Sequence, residues 1–521
     1  MKGLVTWISS ALLLAVANYA MAQTTLGSLS ANAQSLATLS LEWMDKDWDG
    51  SGFLKRETLD FPPGVHEVRQ TAFYAVGLML RNQGNDTARA VQAVNAILTQ
   101  QYNVTGAVYD EGPTPTGTVE YSSYDPNWRE FIGTTLILQL ENWSGRYNAT
   151  EIANIEAALQ LAALGSYNRA ATSIPPSYSN IAIMRAFMLD YVGRNYNNPT
   201  YVSYATSFAQ QIYSLFSYNG DNTLYEYNSP TYTGVDFYGL SLWINYSQNR
   251  VLNNLGKQII NALWNDLAAF YHAGLKNIAG PYDRAYGIDM TQYIAIDAQW
   301  IWLAAGQQHA PLPDLNSTVW QTTVSGHPGD WGFAPLVAAV SPGASIPSNI
   351  VPLFQSFGSY CRELKRYIGP GNGTNPRVDT VWMSATQTIG GQKVNESTTR
   401  DPTQYYPAVV QWQIPGQVAI GHLTLTPTTG VITAVASEKR LSVSYPKPYG
   451  NGKDVFKFIV YANGAAVTQN KGVYTLPGQT FTISTAAGAP NITANANGSY
   501  NVVYTWPATN TAIPSLTLTL N

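Results

Sequence analysis

The apolar residues of this 521-residue chain repeat with two different periods, and the change between them constrains the fold more than any other feature. From about residue 35 to residue 308 they recur at three- and four-residue spacing, as in "HEVRQTAFYAVGLMLRNQ" and "ATEIANIEAALQLAALGSY". This spacing collects them on one face of a helix. After about residue 375, apolar and polar residues alternate between Gly, Pro and Asn turns. Such alternation is typical of antiparallel strands.

The helical part predicts nine or ten helices, with a helix and its return helix repeating about every 40 to 50 residues. That periodicity is typical of stacked α-hairpins. We therefore predict a multidomain α and β protein: an N-terminal (α/α)n incomplete toroid of helical hairpins followed by a C-terminal antiparallel β-sandwich. The predicted boundaries are 23–330 for the toroid, 331–375 for a connecting segment with a short helix in "FGSYCRELKRYI", and 376–521 for the sandwich.

Residues 1–22 predict a secretory signal peptide. Lys2 precedes the apolar run "ALLLAVA", and Ala20 and Ala22 supply the small side chains of a cleavage site. The run is too short to cross a bilayer comfortably, and no later apolar stretch is long enough to do so. We expect a secreted, extracellular protein that is not anchored in a membrane.

The composition agrees with export and argues against a nucleic-acid partner. Lys and Arg total 28 against 32 Asp and Glu, so the chain lacks the basic excess of a nucleic-acid binder. Cys361 is the only cysteine, which excludes an internal disulfide. Ten N-x-S/T sequons are present, so we expect a glycoprotein. We also expect a monomer. The sequons lie at Asn85, Asn103, Asn142, Asn148, Asn245, Asn316, Asn372, Asn395, Asn491 and Asn497.

Four loop-to-helix junctions of the helical part combine tyrosine or tryptophan with asparagine or arginine. Alternate loops of stacked hairpins emerge at the same end of a toroid, so these junctions are expected to line one cleft. Flat aromatic faces there suit sugar rings, and amide and guanidinium groups suit carboxylates and hydroxyls. Helix capping is the alternative explanation for the polar residues. The candidates are Asn127, Trp128, Tyr178, Asn180, Asn228, Tyr232, Tyr282, Arg284 and Tyr286.

The motifs "NSPTY" and "GPYDRAYGIDM", on a helical toroid followed by a sandwich, resemble those of the (α/α)-toroid polysaccharide lyases and their secreted fungal relatives. The resemblance covers about the central half of the chain. It implies β-elimination on an anionic polysaccharide that contains uronic acid, such as alginate, glucuronan or hyaluronan. It also implies that a tyrosine transfers the proton while asparagine and arginine neutralise the C5 carboxylate.

On this resemblance, Tyr286 or Tyr232 is the expected proton-transferring residue, and an adjacent Arg284 would favour the phenolate. Asn180 and Asn127 join Arg284 as expected carboxylate neutralisers. Asn228 is a supporting donor, and Trp128, Tyr178 and Tyr282 are expected to bind sugar. His327, in "SGHPGDWG", is the candidate for a separate base. Several of the resembled families carry an Asn-His pair that this helical part lacks, which favours a mechanism with tyrosine alone.

The segment "DKDWDGSGFLKRE" matches the first half of an EF-hand loop, with Asp45, Asp47 and Asp49 as candidate calcium ligands. The twelfth position, where a bidentate glutamate should close the cage, holds Arg56, and Glu57 follows one residue later. An acidic turn between two helices is therefore the favoured interpretation. We expect no cofactor.

Two other functions fit the same sequence. The first is a glycoside hydrolase that uses paired carboxylates, and the second is a non-catalytic carbohydrate-binding protein in which the aromatic residues stack on sugars. An unsaturated product would indicate a lyase, and new reducing ends without it would indicate a hydrolase. The candidate hydrolase pairs are Glu226 with Asp283, and Asp236 with Asp289.

Overall fold

The computed structural model describes ten stretches of the chain: residues 24–55, 66–101, 125–169, 173–315, 327–358, 361–369, 377–394, 404–428, 431–448 and 454–521. The predicted signal peptide lies outside these residues, as do Arg56 and Glu57 of the EF-hand candidate. Four of the ten sequons also lie outside, at Asn103, Asn316, Asn372 and Asn395.

The N-terminal domain is helical, as predicted. Its α-helices within the described residues are α1 (Ala31–Met44), α2 (Val68–Arg81), α3 (Asp86–Thr99), α4 (Trp128–Trp143), α5 (Ala149–Asn168), α6 (Ser179–Asn195), α7 (Pro199–Phe216), α8 (Tyr232–Tyr246), α9 (Arg250–Phe270), α10 (Ile296–Ala305), α11 (Ala334–Val340) and α12 (Val351–Gln355).

Four antiparallel hairpins build an incomplete toroid: α2 with α3, α4 with α5, α6 with α7, and α8 with α9. The first helix of each hairpin faces the inside of the toroid, where α2 packs on α4, α4 on α6, and α6 on α8. Helix α10 packs between α8 and α1, and α1 packs on α2, which completes the inner layer. The predicted toroid of hairpins is confirmed.

The distribution of apolar residues around each helix determines whether it lies in the inner or the outer layer of the toroid. Almost every residue of α4 and α6 is buried, and their apolar residues are spread around the whole helix. A helix of this kind is stable only when protein covers it on all sides. Helices α3, α7 and α9 instead bury one face and expose the other, as expected of an outer layer. Helix α11, "APLVAAV", is wholly buried and packs against α1, α2, α8 and α10 at the centre of the toroid.

The C-terminal domain is an antiparallel sheet of fourteen strands in the described residues. Two small hairpins precede it in the helical domain, β1 (Leu54–Lys55) with β2 (His66–Glu67), and β3 (Tyr271–His272) with β4 (Asn277–Ile278). The strands of the large sheet are β5 (Arg362–Ile368), β6 (Arg377–Met383), β7 (Gln387–Val394), β8 (Ala408–Gln413), β9 (Ile420–Pro427), β10 (Ile432–Ser437), β11 (Arg440–Ser444), β12 (Val455–Tyr461), β13 (Gln469–Asn470), β14 (Val473–Leu476), β15 (Gln479–Thr485), β16 (Asn491–Ala494), β17 (Tyr500–Thr505) and β18 (Ser515–Leu520).

The two ends of this sheet fold over each other. The strand order is β13-β14-β15-β18-β11-β10-β7-β8-β9-β12-β17-β16, with β5 and β6 attached beside β7. Tyr474 on β14 and Tyr504 on β17 are near opposite ends of that order, yet their hydroxyl oxygens lie 2.6 Å apart. Alternating apolar residues from both halves form one buried core between them. The predicted sandwich is therefore confirmed.

The connecting segment differs from the prediction. "FGSYCRELKRYI", predicted as a short helix, contains strand β5, which pairs with β6 from Arg362 opposite Met383 to Ile368 opposite Arg377. Pairing with a neighbouring strand overrides the local helical spacing. The sheet thus begins at Arg362 instead of residue 376, and helix α11, inside the predicted connecting segment, belongs to the core of the toroid.

The sequons of the described residues have different surroundings. Asn85, Asn148, Asn491 and Asn497 are exposed. The Nδ2 of Asn142 instead donates to Leu138 O at 3.1 Å, and that of Asn245 donates to Val340 O at 3.1 Å. Among the described residues, no helix is both long enough and apolar enough to cross a membrane.

The two domains meet where the segment between β4 and α10 lies against strands β7 and β8. Tyr282 and Tyr406 exchange backbone hydrogen bonds across this contact, each 3.0 Å long. Gly390 on β7 allows the closest approach, because a Cβ at this position would lie 1.8 Å from Gly280 O. The interface requires a glycine there.

We expect Gly390→Ala to lower the free energy of unfolding by about 1–3 kcal/mol, because the added methyl group must push the two backbones apart. Urea denaturation of the full chain measures the change. Gly27→Ala is the control, because a Cβ at Gly27 meets nothing within 4 Å. Equal stability of the two variants would contradict the proposed close contact.

Candidate functional site

The N-terminal ends of the inner helices surround a cavity of about 360 Å³. Arg69 lies in the first turn of α2, Trp128 begins α4, Asn180 is the second residue of α6, and Tyr232 begins α8. Because the inner helices run in the same direction, these helix starts meet at one end of the toroid. The partial positive charge of helix N-termini therefore adds up around the cavity.

Eight of the ten residues predicted from the sequence line this cavity. They come from four separate junctions and from the 3₁₀ helix Pro328–Phe333, which leads into α11. The eight are Asn127, Trp128, Tyr178, Asn180, Tyr232, Arg284, Tyr286 and His327. All except Trp128 and Asn180 are only partly buried, so the cavity is open to solvent. The catalytic and binding roles of these residues stay predictions.

Helix capping does not explain the polar residues at the inner junctions. The outer helices α5, α7 and α9 are capped by the side chains of Asn148, Asn198 and Asn249. At the starts of the inner helices α4, α6 and α8, the N-cap residues make no such side-chain bond. Polar side chains there are directed to other partners, including each other and the cavity.

A pair of tyrosines occupies one wall of the cavity. The hydroxyl oxygens of Tyr232 and Tyr286 lie 2.5 Å apart. The guanidinium carbon of Arg284 is 4.3 Å from the centre of the Tyr232 ring. On the other side, the imidazole of His327 stacks on the Tyr286 ring with 3.7 Å between ring centres. Two phenols, a cation and an imidazole are thus in direct contact.

The environment makes the two phenols unequal acids. Burial raises the pKa of both tyrosines, so both are neutral at pH 7, and the charge of Arg284 opposes this rise. Their mutual hydrogen bond lowers the pKa of Tyr286 and raises that of Tyr232, as it does when Tyr286 accepts the bond. Tyr286 is therefore the better placed of the two to give up and recover a proton.

Asn127 is engaged by its neighbours. Its Nδ2 donates to the hydroxyl of Tyr178 at 2.9 Å, and its Oδ1 accepts from Arg169 at 2.7 Å. Burial and the nearby Glu226 raise the pKa of Tyr178 to about 12, so Tyr178 is a neutral aromatic wall at physiological pH. Asn127 thus fixes the position of this wall.

Glu226, one of the predicted hydrolase acids, is in contact with Asn180. Asn180 Nδ2 donates to Glu226 Oε2 at 3.2 Å, and Ser179 Oγ donates to the same oxygen at 3.3 Å. Part of Glu226 reaches solvent, but protein encloses its carboxyl group. That burial raises the pKa of Glu226 to about 7, with Arg284 opposing the rise and Asp283 adding to it.

The sheet domain holds the segment that carries Arg284 and Tyr286. Gln404 Oε1 accepts from Arg284 Nε at 2.7 Å, and its backbone oxygen accepts from Ala285 N at 2.9 Å. One residue earlier, the carboxylate of Asp283 accepts from Arg377 NH1, and both side chains are buried. Two contacts from the second domain therefore fix the orientation of Arg284.

Two predicted site residues lie elsewhere, and these predictions are corrected. Asn228 adopts a left-handed backbone conformation (φ 51°), and its Nδ2 donates to Ala279 O at 2.7 Å. Asparagine is among the few residues that tolerate this conformation, so its role is to shape the turn. Tyr282 is buried at the domain interface, where its hydroxyl donates to Ile278 O and accepts from Gln411 Nε2.

The structure adds cavity residues that sequence reasoning missed. Arg69 packs over Phe131, with 5.4 Å between its guanidinium carbon and the ring centre. Two carboxylates, Asp125 and Asp330, also line the cavity. A sequence signal for Arg69 exists, because a cation in the first turn of a buried helix opposes the helix dipole. Such an unfavourable placement suggests a functional reason.

The acidic turn after α1 binds protein groups. Asp45 accepts from Arg81 NH1 and from the Tyr74 hydroxyl, both at 2.6 Å. Asp49 Oδ2 lies 2.7 Å from His66 Nε2. In the part of the chain that the structure describes, no group of three or more His, Cys, Asp or Glu side chains is arranged to hold a metal ion. The candidate ligands Asp45 and Asp49 are thus held by other residues of the chain.

We expect Arg377→Met to destabilise the protein by about 3–5 kcal/mol, because the buried Asp283 then loses its guanidinium partner. The double variant Arg377→Met/Asp283→Asn removes both charges and should recover at least half of that loss. Urea denaturation compares the three proteins. A single variant as stable as the wild type would contradict a structural role for this pair.

Comparison with known proteins identifies the family. The family described as Domain of unknown function (DUF8769) matches residues 34–342, more than half of the chain, so the chain belongs to it. A second, Domain of unknown function (DUF8770), matches residues 365–521. These two matches separate the helical domain from the sheet domain. No curated protein matches the chain.

The solved structures that are similar to this chain include a chondroitin AC lyase and a heparinase III. A chondroitin AC lyase from Streptomyces coelicolor A3, in complex with chondroitin sulphate, is similar over 94% of this chain and 79% of its own, with 11% identity and a TM-score of 0.43. A heparinase III is similar over 95% of this chain and 85% of its own, with 10% identity and a TM-score of 0.44.

Proposed function

We propose that the protein is a polysaccharide lyase that cleaves a uronic-acid polysaccharide by β-elimination in this cavity. The observation that carries the proposal is the contact of the Tyr232 and Tyr286 hydroxyls, 2.5 Å apart, beside the Arg284 guanidinium. The predicted signal peptide and the exposed sequons support an extracellular site of action. The proposed enzyme needs no cofactor.

The surroundings of the cavity favour an anionic sugar. Helix N-termini attract negative charge, and several of them face this cavity. Arg284 and Arg69 add two side-chain cations. Trp128, Phe131 and Tyr178 supply aromatic faces, which suit the apolar faces of sugar rings. A uronate residue presents both features, a carboxylate and a ring.

The elimination requires a base, an acid and a group that neutralises the carboxylate. The base removes the C5 proton, and the electron pair of the C5–H bond forms the C4–C5 double bond. The C4–O4 bond breaks as this double bond forms. The electron pair of the C4–O4 bond stays on O4, which then takes a proton from the acid. Arg284 and Asn180 stabilise the negative charge that develops on the carboxylate. Atoms and charges balance without an external reagent.

Tyr286 is the proposed proton-transferring residue. The hydrogen bond from Tyr232 and the charges of Arg284 and Arg69 all favour its phenolate, whereas Asp330 and burial favour the neutral phenol. The phenolate of Tyr286 takes the C5 proton and becomes the neutral phenol, which then donates that proton to O4. His327 stacks face to face on this ring, so its proposed role is to hold the ring in place.

The carboxylate pairs predicted for a hydrolase are otherwise engaged. Asp283 is paired with Arg377, Asp236 is fully buried, and Asp289 accepts from the backbone of Thr291 and Ile420. Asp125 and Asp330 do line the cavity, so hydrolysis by these two is the competing outcome. The products distinguish the two reactions.

Incubation with glucuronan, alginate, hyaluronan and neutral cellulose, followed by ultraviolet absorbance, tests the proposal. We expect a rise in absorbance from the C4–C5 double bond with at least one uronate polymer and none with cellulose. New reducing ends without this absorbance would indicate a hydrolase. Absence of both signals on every polymer, for a protein that is folded, would leave sugar binding as the function.

We expect Tyr286→Phe to reduce kcat by at least about a thousandfold, because the phenol is the group that moves the proton. Initial rates of double-bond formation measure this. Tyr504→Phe is the matched control, since it removes an equivalent hydroxyl pair in the sheet domain. It should cost about 1 kcal/mol of stability and leave kcat unchanged. Turnover by Tyr286→Phe at the wild-type rate would exclude Tyr286 as the proton carrier.

Gln404 is a positioning residue for Arg284 in this proposal. We expect Gln404→Met to lower kcat/KM by about tenfold, because a misplaced guanidinium no longer meets the carboxylate. Gln404→Glu keeps an acceptor for Arg284 Nε and should retain more activity than the methionine variant. If the two variants have equal melting temperatures, the difference in their activity comes from the position of Arg284 and not from a loss of stability. An unchanged kcat/KM in the methionine variant would contradict this role.

A further inference from the structure

In its present orientation the amide of Asn180 commits one of its two N–H donors to Glu226. Its Nδ2 donates to Glu226 Oε2 at 3.2 Å, which directs the donor away from the cavity. Its Oδ1 is buried and makes no hydrogen bond in the described residues. A buried acceptor without a donor costs free energy, and a carboxylate in the cavity needs a donor.

Rotating the Asn180 amide by half a turn exchanges the two atoms. Oδ1 then faces Glu226, and Nδ2 takes the place of the unpartnered Oδ1 in a residue that lines the cavity. Two acceptors cannot share a hydrogen bond, so this orientation requires Glu226 to supply a proton. A protonated carboxyl group can do so, whereas an ionised one holds Nδ2 in the unproductive position. The charge of Glu226 therefore decides which end of the amide faces the sugar.

We propose, building on the lyase function above, that Glu226 is a positioning residue whose protonated carboxyl group donates to Asn180 Oδ1 and turns Asn180 Nδ2 toward the anionic sugar. Glu226 itself does not touch the substrate in this proposal. It acts through one hydrogen bond to a residue that does. Binding of the sugar and protonation of Glu226 are consequently coupled.

The surroundings of Glu226 support a carboxyl group that changes its charge near neutral pH. Burial raises the pKa of Glu226 to about 7. A second cavity of about 30 Å³ is lined by Glu226 but not by Asn180, and it has room for about one water molecule. The titratable and charged groups that face Glu226 are Arg284, Asp283, Asp236, Tyr178 and, around the small cavity, Tyr227, Asp266 and Asp297.

The direction of the pH effect follows from this raised pKa. The protonated form predominates below pH 7 and is lost as the pH rises through that value. The competent fraction falls from about nine tenths at pH 6 to about one tenth at pH 8, so the apparent Kd should rise about tenfold. A bound uronate adds a further negative charge near Glu226, so binding at pH 7 should take up about half a proton.

Isothermal titration calorimetry tests this coupling with purified glucuronan and alginate oligosaccharides as probes. A Tyr286→Phe background prevents turnover during the titration. We expect an approximately tenfold rise in Kd from pH 6 to pH 8, and a dependence of the binding heat on buffer ionisation enthalpy at pH 7. In Glu226→Gln the amide donates to Asn180 Oδ1 at every pH. The rise should then be less than twofold, and no proton should be taken up.

Two further variants separate positioning from other effects. In Asn180→Ala the probe should bind more weakly at both pH values, and the rise between them should fall to that of Glu226→Gln. Glu141→Gln is the matched control, because Glu141 is another partly buried carboxyl group whose pKa burial raises, and Tyr191 donates a hydrogen bond to it at 2.6 Å. It should keep the wild-type pH dependence.

A full tenfold rise in Glu226→Gln or in Asn180→Ala would overturn the inference, because the titrating group would then be another residue or would act on the sugar directly. Loss of turnover in Glu226→Gln at every pH would also overturn it, since Glu226 would then transfer protons itself. If the unmodified protein cleaves a uronate polymer while these binding results fail, the lyase function stands without this role for Glu226.

Discussion

The complete burial of the inner helices is the constraint on which the rest of the structure depends. Helices α4, α6 and α8 have buried residues around their whole circumference, because an outer helical layer and the central helix α11 enclose them. Enclosure in parallel orientation brings their N-terminal ends together. The cavity, the helix N-termini around it and its aromatic walls are consequences of this packing.

The sheet domain contributes to the cavity through the segment it anchors. Arg284 and Tyr286 lie in the irregular stretch between β4 and α10, which the helical toroid alone would leave without support on one side. Strand pairing at Tyr282 and Tyr406, the close approach at Gly390 and the hydrogen bond from Gln404 fix this stretch. A proton-transferring group must hold its place to within fractions of an ångström, so a rigid second domain suits this task.

The sequence predicted the fold and most of the cavity because periodicity and position carry that information. The apolar spacing defined the hairpins, and hairpin geometry then implied that alternate junctions meet at one end. Asn228 and Tyr282 were misplaced because sequence proximity does not reveal direction: Asn228 turns the backbone, and Tyr282 points toward the sheet domain.

Other features depended on contacts between distant residues and could not be predicted. Strand β5 was expected to be a helix because its pairing with β6 is not encoded in its own spacing. Arg69 lies in helix α2, whose apolar pattern indicates a buried helix and does not show that one of its side chains lines a cavity. Likewise, Gln404 is 120 residues from Arg284, and the link between Asn180 and Glu226 spans 46 residues. Only the folded chain brings these side chains together.

The central claim is that one acidic sugar unit sits between the phenol of Tyr286 and the guanidinium of Arg284. A crystal structure of an inactive variant with a bound uronate oligosaccharide tests it most directly. We expect the uronate carboxylate within hydrogen-bonding distance of Arg284 and the C5 atom within about 3.5 Å of the position of the Tyr286 hydroxyl. A sugar bound outside the cavity, or with its carboxylate directed away from Arg284, would contradict the account.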